Sequence, residues 1–295
     1  MKVGLIDVDG HNFPNLALMK LSAYHKARGD SVEMYHPWLS GHVDKAYMSK
    51  AFTFTKDYPY NVDADEIVQG GTGYFYPDGG ERLADEIEHA TPDYSLYGIT
   101  DTAYGFLTRG CPRACGFCIV AHKEGRKSHK VANLSEFWNG QPNISLMDPN
   151  ILASKDHIDL LGQLADSRAL VDFNQGLDVR LTTPENIAIL NRTRVKRIHF
   201  AWDNAKDDLT ECFKRFTELY DRKARQGKCV YVLTNYDSTM DENLFRIYTL
   251  RDLGYDPYVM VYEKWKAPKR LKELQRWVNA KAAFMSCKRF EDYTA

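Results

Sequence analysis

An α/β architecture follows from two patterns in the chain. Short runs rich in β-branched and aromatic residues alternate with helical stretches, and the alternation breaks once, between Pro92 and Thr102. Before the break, a β-α-β start with short later connections predicts a small parallel sheet of the Rossmann/flavodoxin-like type. After it, six strands separated by helices predict a partial (β/α)6 TIM-like barrel, whose functional residues belong at the C-terminal strand ends. The expected division is residues 1–98, 99–265 and a helical extension over 266–295.

In chain order, the first strand is Lys2 to Val8, followed by a turn rich in Asp, Gly and Asn. Leu16, Met19, Leu21 and Tyr24 lie near helical spacing and predict a helix from about Asn15 to Ala27, closed by Gly29. Ser31 to Tyr35 is the second strand, Ala46 to Thr55 the third, and the short Glu66 to Val68 the fourth. The second set of strands is Tyr104–Thr108, Ile144–Met147, Leu170–Phe173, Arg197–Trp202, Cys229–Leu233 and Tyr258–Tyr262, with Met260 and Tyr262 expected to pack. A helix starts at Pro184 behind the capping Thr183. Others span about Ala205 to Gln226, stopped by Gly227, and about Asp241 to Leu253, stopped by Gly254.

Composition excludes several classes. With 44% hydrophobic and 27% charged residues over 295 positions, the chain can bury a core and is not a disordered or fibrous sequence. Its 39 Lys+Arg nearly balance 40 Asp+Glu, which argues against bulk electrostatic binding to nucleic acid or membrane. No apolar run approaches the ~20 residues of a membrane span. Asp7 and Asp9 interrupt what would be a signal peptide's apolar core. A cytoplasmic protein with no membrane partner is expected.

The six cysteines are Cys111, Cys115, Cys118, Cys212, Cys229 and Cys287. Three crowd into Thr108-Arg109-Gly110-Cys111-Pro112-Arg113-Ala114-Cys115-Gly116-Phe117-Cys118, on a loop after a predicted strand. Thiolates are soft ligands suited to iron–sulfur clusters or zinc. Three of them can face one cubane and leave its fourth iron without a nearby cysteine. Structural zinc would need a fourth ligand, for which His122 and His129 are at hand. Buried thiols are the remaining alternative. Cys212 shares a helical face with Phe213, Phe216 and Tyr220, so core packing is its better reading.

The C-x3-C-x2-C loop, with Phe117 before its last cysteine and Thr108-Arg109-Gly110 before its first, resembles the radical SAM superfamily, in particular the branch with methylthiotransferases and cobalamin-type members. The resemblance implies a [4Fe-4S] cluster on Cys111, Cys115 and Cys118, with S-adenosylmethionine chelating the open iron. One electron from the cluster would release a 5′-deoxyadenosyl radical, which abstracts hydrogen from an unidentified substrate. It also implies an electron donor such as flavodoxin or ferredoxin. Cobalamin-dependent methyl transfer and RNA methylthiolation are the alternatives within the family. The latter is less attractive without three further N-terminal cysteines. A non-enzymatic iron–sulfur or zinc-binding structural protein is the alternative outside it.

Cosubstrate contacts are expected at strand ends. Asp148 or Asn150 can accept from the methionine amine, although the family's usual glycines are absent. Gln175 and Asp178 can bond ribose hydroxyls or substrate. Arg180 can neutralise the methionine carboxylate, unless it forms a structural pair with Asp178. Asp203 and Asn204, and then Asn235 and Asp237, follow the next two strands and suit substrate, ribose, caps or turns equally.

Asp9-Gly10-His11-Asn12-Phe13-Pro14 is similar to the Asp-x-His-x-x-Gly signature of cobalamin-binding domains, supported by Ser49 and Gly70-Gly71. The similarity implies cobalt ligation by His11, oriented by Asp9. Pro14 in the glycine's place, and a short segment before Gly70, favour a domain that kept the fold without cobalamin. Near the C-terminus, Lys264, Lys266, Lys269, Arg270, Lys272 and Arg276 flank Trp265 and Trp277. Nucleic acid could stack there. The charge balance favours a solvated helix face with Trp277 packed inward.

Overall fold

The computed structural model describes residues 1–10, 13–221 and 227–294. It divides into two compact units, Met1–Ser145 and Leu146–Ala295.

The first unit begins with β1 (Lys2–Asp7), α1 (Leu16–Ala27), β2 (Ser31–Met34), β3 (Val43–Ser49) and β4 (Ala64–Gly70). The strands form a parallel sheet in the order β2-β1-β3-β4. β1 is apolar on both sides because both sides are covered. Val3 and Leu5 pack with Leu18 and Leu21 of α1, while Ile6 joins Val43, Ala46 and Met48. Asn15 caps α1 by accepting from the Leu18 N–H, and Gly29 leaves the helix at φ +83°. The third strand ends at Ser49 rather than Thr55, because Asp9 accepts hydrogen bonds from the Ala51 and Phe52 N–H groups and the Thr55 hydroxyl and turns the chain there. The fourth is longer than expected, paired with β3 from Ala64 to Gly70.

The unit continues through α2 (Asp85–Glu88), β5 (Thr102–Gly105), β6 (Thr108–Arg109), α3 (Val120–Lys123), β7 (His129–Lys130) and β8 (Asn143–Leu146). The expected strand Tyr104–Thr108 is thus two strands. Its second half leaves the sheet to pair antiparallel with β7, Thr108 opposite Lys130 and Arg109 opposite His129.

The second unit alternates α4 (His157–Ser167), β9 (Leu170–Phe173), α5 (Pro184–Arg192), β10 (Val195–Ala201), α6 (Thr210–Leu219), β11 (Lys228–Thr234), α7 (Met240–Asp252) and β12 (Asp256–Val261), then α8 (Lys269–Asn279) and α9 (Lys281–Ser286). Its strands β9, β10, β11 and β12 lie side by side in chain order, all parallel. Thr183 and Asn186 form a capping box around Pro184, and Thr239 and Glu242 do the same for α7. α6 is shorter than predicted at both ends. Its N-terminal approach is a turn in which Asp208 accepts from the Thr210 N–H, and residues 222–226 of the predicted helix lie outside the described residues.

One face of this sheet is the core. Phe200 sits among Phe213, Phe216 and Tyr255, with ring centroids 5.8, 4.8 and 6.4 Å away. The Tyr255 hydroxyl donates to the Phe213 carbonyl at 3.0 Å. Trp277 is fully buried in α8, as the inward reading required, whereas Trp265 is 76% exposed. Met260 and Tyr262 are not buried, although Tyr262 meets the Tyr236 ring edge-on at 5.1 Å. β12 is the edge strand and they lie on or beyond its uncovered face, both exposed. Among the described residues, no helix is long and apolar enough to cross a membrane.

Phe200→Ala should lower unfolding free energy by about 3–5 kcal/mol, the cost of a large core cavity, measured by urea denaturation.

Candidate functional site

The cysteine loop leaves the first unit as a closed excursion between β6 and β7. Gly110 opens it at φ +83°, where a Cβ would lie 2.3 Å from the Lys127 carbonyl oxygen, so only glycine lets the two ends meet. The Cys111 N–H donates to the Gly125 carbonyl at 3.1 Å. Glu124 closes the base. One carboxylate oxygen accepts from Arg109 Nη1 at 2.9 Å and the other from the Gly110 N–H at 3.2 Å. The Arg109 guanidinium also lies 3.7 Å from the centroid of the Phe106 ring.

Inside the excursion, Ala114 takes a left-handed conformation at φ +47°. The Cys118 N–H then donates to the Cys115 carbonyl at 2.9 Å, so Cys115 and Cys118 bracket one tight turn. Cys111, Cys115, Phe117 and Cys118 are all partly exposed. α3 follows at once and carries His122, and His129 of β7 donates from its ring Nδ1 to the Lys127 carbonyl at 3.1 Å. Arg109, Arg113, Lys123, Arg126 and Lys127 outnumber Glu124 in this stretch, which is therefore basic. Burial pushes the Lys123 ammonium down, against the pull of Glu124.

The N-terminal loop is occupied differently from the cobalamin-type reading. His11 lies outside the described residues. The Asp9 carboxylate, expected to orient it, is engaged with the 51–55 turn through both oxygens. Ser49 accepts from Asn15, and Gly71 is needed because a Cβ there would meet the Lys50 carbonyl at 2.3 Å.

In the second unit, parallel pairing brings the predicted strand-end residues to one edge of the sheet. Asp148 and Asn150 are both buried. Asn150 Nδ2 lies 3.5 Å from Asp178 Oδ2. Asp178 Oδ1 accepts from the Arg180 N–H at 3.2 Å and from Arg180 Nε at 2.7 Å, and Arg180 Nη1 reaches Asp207 at 3.1 Å. This chain joins the ends of β8, β9 and β10. Gln175 is exposed beside it. Gly176, at φ +83° and with its Cβ position 2.9 Å from the His199 carbonyl oxygen, lets the β9 loop close onto β10.

Asp203 follows β10. Burial pushes its carboxyl up to about 6, opposed by the Leu233 backbone and by the charges of Arg246 and Arg180. Asn204 is a turn residue, accepting from the Lys206 N–H at 3.0 Å. Asn235, left-handed at φ +64°, donates to the Tyr262 carbonyl at 2.8 Å and ties the ends of β11 and β12 together.

Sequence reasoning missed Arg246. It is fully buried on α7 and donates to the Trp202 and Asp203 carbonyls at 2.6 and 3.2 Å, to the Leu233 carbonyl at 3.1 Å and to Asn243 Oδ1 at 2.6 Å. Burial lowers its guanidinium to about 10. The signal was present. Asn243, Arg246, Ile247 and Leu250 share one helical face, and an arginine on a buried face must serve buried acceptors.

The fold and site define an α/β protein with parallel sheets, a three-thiol loop in its first unit and a polar strand-end cluster in its second. No family model matches the chain. Over 138 residues it is 28% identical to the tRNA-2-methylthio-N(6)-dimethylallyladenosine synthase of Syntrophobacter fumaroxidans, a match covering 44% of this chain. That match spans 27% of the relative's own length.

Gly110→Ala should destabilise the first unit by about 1–3 kcal/mol through strain at the Lys127 carbonyl, read by urea unfolding. Asp203, raised from 3.8 to about 6, binds its proton more tightly when folded, so its penalty is absent below about pH 4 and complete above about pH 6. The stability difference between Asp203→Asn and the parent chain should shift in favour of the variant as pH rises through that window, measured by thermal unfolding.

Proposed function

We propose that this chain is a radical S-adenosylmethionine enzyme. The observation that carries the reading is the pinned excursion between β6 and β7, which presents Cys111, Cys115 and Cys118 on one short loop. The likeness to a synthase named for a modified tRNA adenosine supports an enzyme over a structural iron or zinc protein.

The residues fit an iron–sulfur cluster. Three soft donors sit in a basic, partly exposed stretch, and Gly110 and Glu124 fix the ends of the loop that holds them. When bound, a [4Fe-4S] cluster supplies the electron for reductive cleavage of S-adenosylmethionine and hence for hydrogen abstraction from a substrate. The chain's own part is binding and orientation. Cys111, Cys115 and Cys118 ligate, and Phe117, between the last two of them, contacts the bound cofactors. Asp148, Asn150, Gln175, Asp178, Asp203 and Asn235 offer acceptors and amides for the amine and ribose of the cosubstrate. Arg180 forms the structural pair with Asp178 and a second with Asp207, so its charge steadies the two carboxylates at this edge instead of meeting the methionine carboxylate. Arg246 keeps the backbone at Trp202, Asp203 and Leu233 in place beneath them. The electron comes from a small one-electron carrier of the flavodoxin or ferredoxin class.

Anaerobic reconstitution should load about four irons per chain. With a reductant and S-adenosylmethionine, the loaded chain should form 5′-deoxyadenosine, detected by chromatography. Cys115→Ala should lose both properties. A colourless chain with one equivalent of zinc and no 5′-deoxyadenosine would overturn the proposal in favour of a structural metal site.

A further inference from the structure

The strands β10 to β12 carry opposite chemistry on their two faces. Ile198, Phe200, Val230 and Val259 point into the core. The alternate residues Arg197, Cys229, Asp256 and Tyr258 lie on the other face, where parallel register sets Cys229 beside Asp256. A cavity of about 350 Å³ opens against these four residues. Its far wall comes from the end of α8 and from α9. Lys281, Phe284 and Met285 line it at i, i+3 and i+4, so they share one face of α9. The volume is at the low end of small-molecule sites. Cys229 and Asp256 stand at the starts of β11 and β12. Asp178, Asp203 and Asn235 follow the ends of these parallel strands, so the cavity lies at the other end of the sheet from them.

The cations of this cavity are incompletely partnered. Arg197 Nη2 and Lys281 Nζ lie 3.9 and 3.4 Å from the same oxygen, Asp256 Oδ2. The first distance is beyond hydrogen-bond reach and the second is at its limit. Arg197 Nε is buried and has no hydrogen-bond partner among the described residues. Leaving a buried donor unmet is costly, so this one marks a place where another group supplies the acceptor. Two cations meet one carboxylate here, which leaves positive charge in surplus beside the cavity. Asp172, the register neighbour of Arg197, does not cancel it, because Asp172 is itself balanced by Lys196 at 3.2 Å.

The walls narrow the ligand. A guanidinium fork suits a carboxylate, which it can meet with two parallel bonds. A dianion gains less, because the Asp256 carboxylate stands between the two cations. Beyond the charged end, Val278, Phe284 and Met285 offer an apolar wall. We infer that this cavity binds a small monocarboxylate with an apolar body, its carboxylate on Arg197 and Lys281 and its body against Phe284 and Met285. The inference goes beyond the function proposed above and does not rest on it.

The test is calorimetric titration of the full chain with butanoate and hexanoate, and with hexanol and inorganic phosphate as comparisons. It uses no iron, reductant or S-adenosylmethionine, so its outcome is separate from that of the cleavage assay. Hexanoate should saturate one site and bind about tenfold more tightly than butanoate, as burial of two further methylenes requires. Hexanol, which lacks the charge, and phosphate, which lacks the body, should each bind at least about tenfold more weakly than hexanoate. Arg197→Gln should weaken hexanoate by about tenfold or more. Lys281 is exposed, so Lys281→Gln leaves the core intact, and it should weaken hexanoate by a similar factor. No saturable hexanoate binding up to about 10 mM, hexanol or phosphate binding as tightly as hexanoate, or hexanoate binding unchanged in Lys281→Gln overturns the inference.

Discussion

The buried guanidinium of Arg246 is the interaction on which the strand-end edge of the second unit depends. Parallel strands bring their C-terminal ends together, and there the last carbonyls of β10 and β11 have no further strand partner. Arg246 meets them from within, with hydrogen bonds to Trp202, Asp203 and Leu233. Its charge is desolvated and pushed down to about 10, yet it stays protonated at any ordinary pH. Asp203, whose backbone it holds, is in turn biased toward its neutral form. One buried cation therefore sets the shape of the edge, while burial, against that cation's charge, holds the Asp203 carboxyl toward its neutral form.

The cysteine loop obeys a different logic. It has almost no apolar core of its own, so its geometry is fixed by backbone closure rather than by packing. The two-residue ladder between β6 and β7, the missing side chain at Gly110 and the two oxygens of Glu124 all act at its base. This leaves the thiols themselves near the surface, where a ligand can reach them.

Much of this was legible from the residues. The strands β8 to β12 and the helices α1, α5 and α7 follow from hydrophobic spacing and from capping residues such as Thr183. The three-thiol loop was visible because cysteine spacing has few other uses. What was not legible depended on pairing distant in sequence. Tyr104–Thr108 reads as one strand until His129 and Lys130 claim Thr108 and Arg109. The end of β3 is set by Asp9, more than forty residues earlier. Met260 has the composition of a packed residue, and only its place on the uncovered face of an edge strand exposes it. The burial of Arg246 shows only in the helical face it shares with Asn243, Ile247 and Leu250.

The glutamate at the base of the excursion has a wider meaning. Since the chain enters and leaves through neighbouring residues, Arg109 and His129, whatever lies between is nearly independent of the scaffold's spacing. Loop-closure entropy changes slowly with length, so residues can be added or removed inside such a closed stitch at little thermodynamic penalty. The arrangement gives evolution a detachable reactive segment, in which thiol spacing can drift while the strands that carry it keep their register.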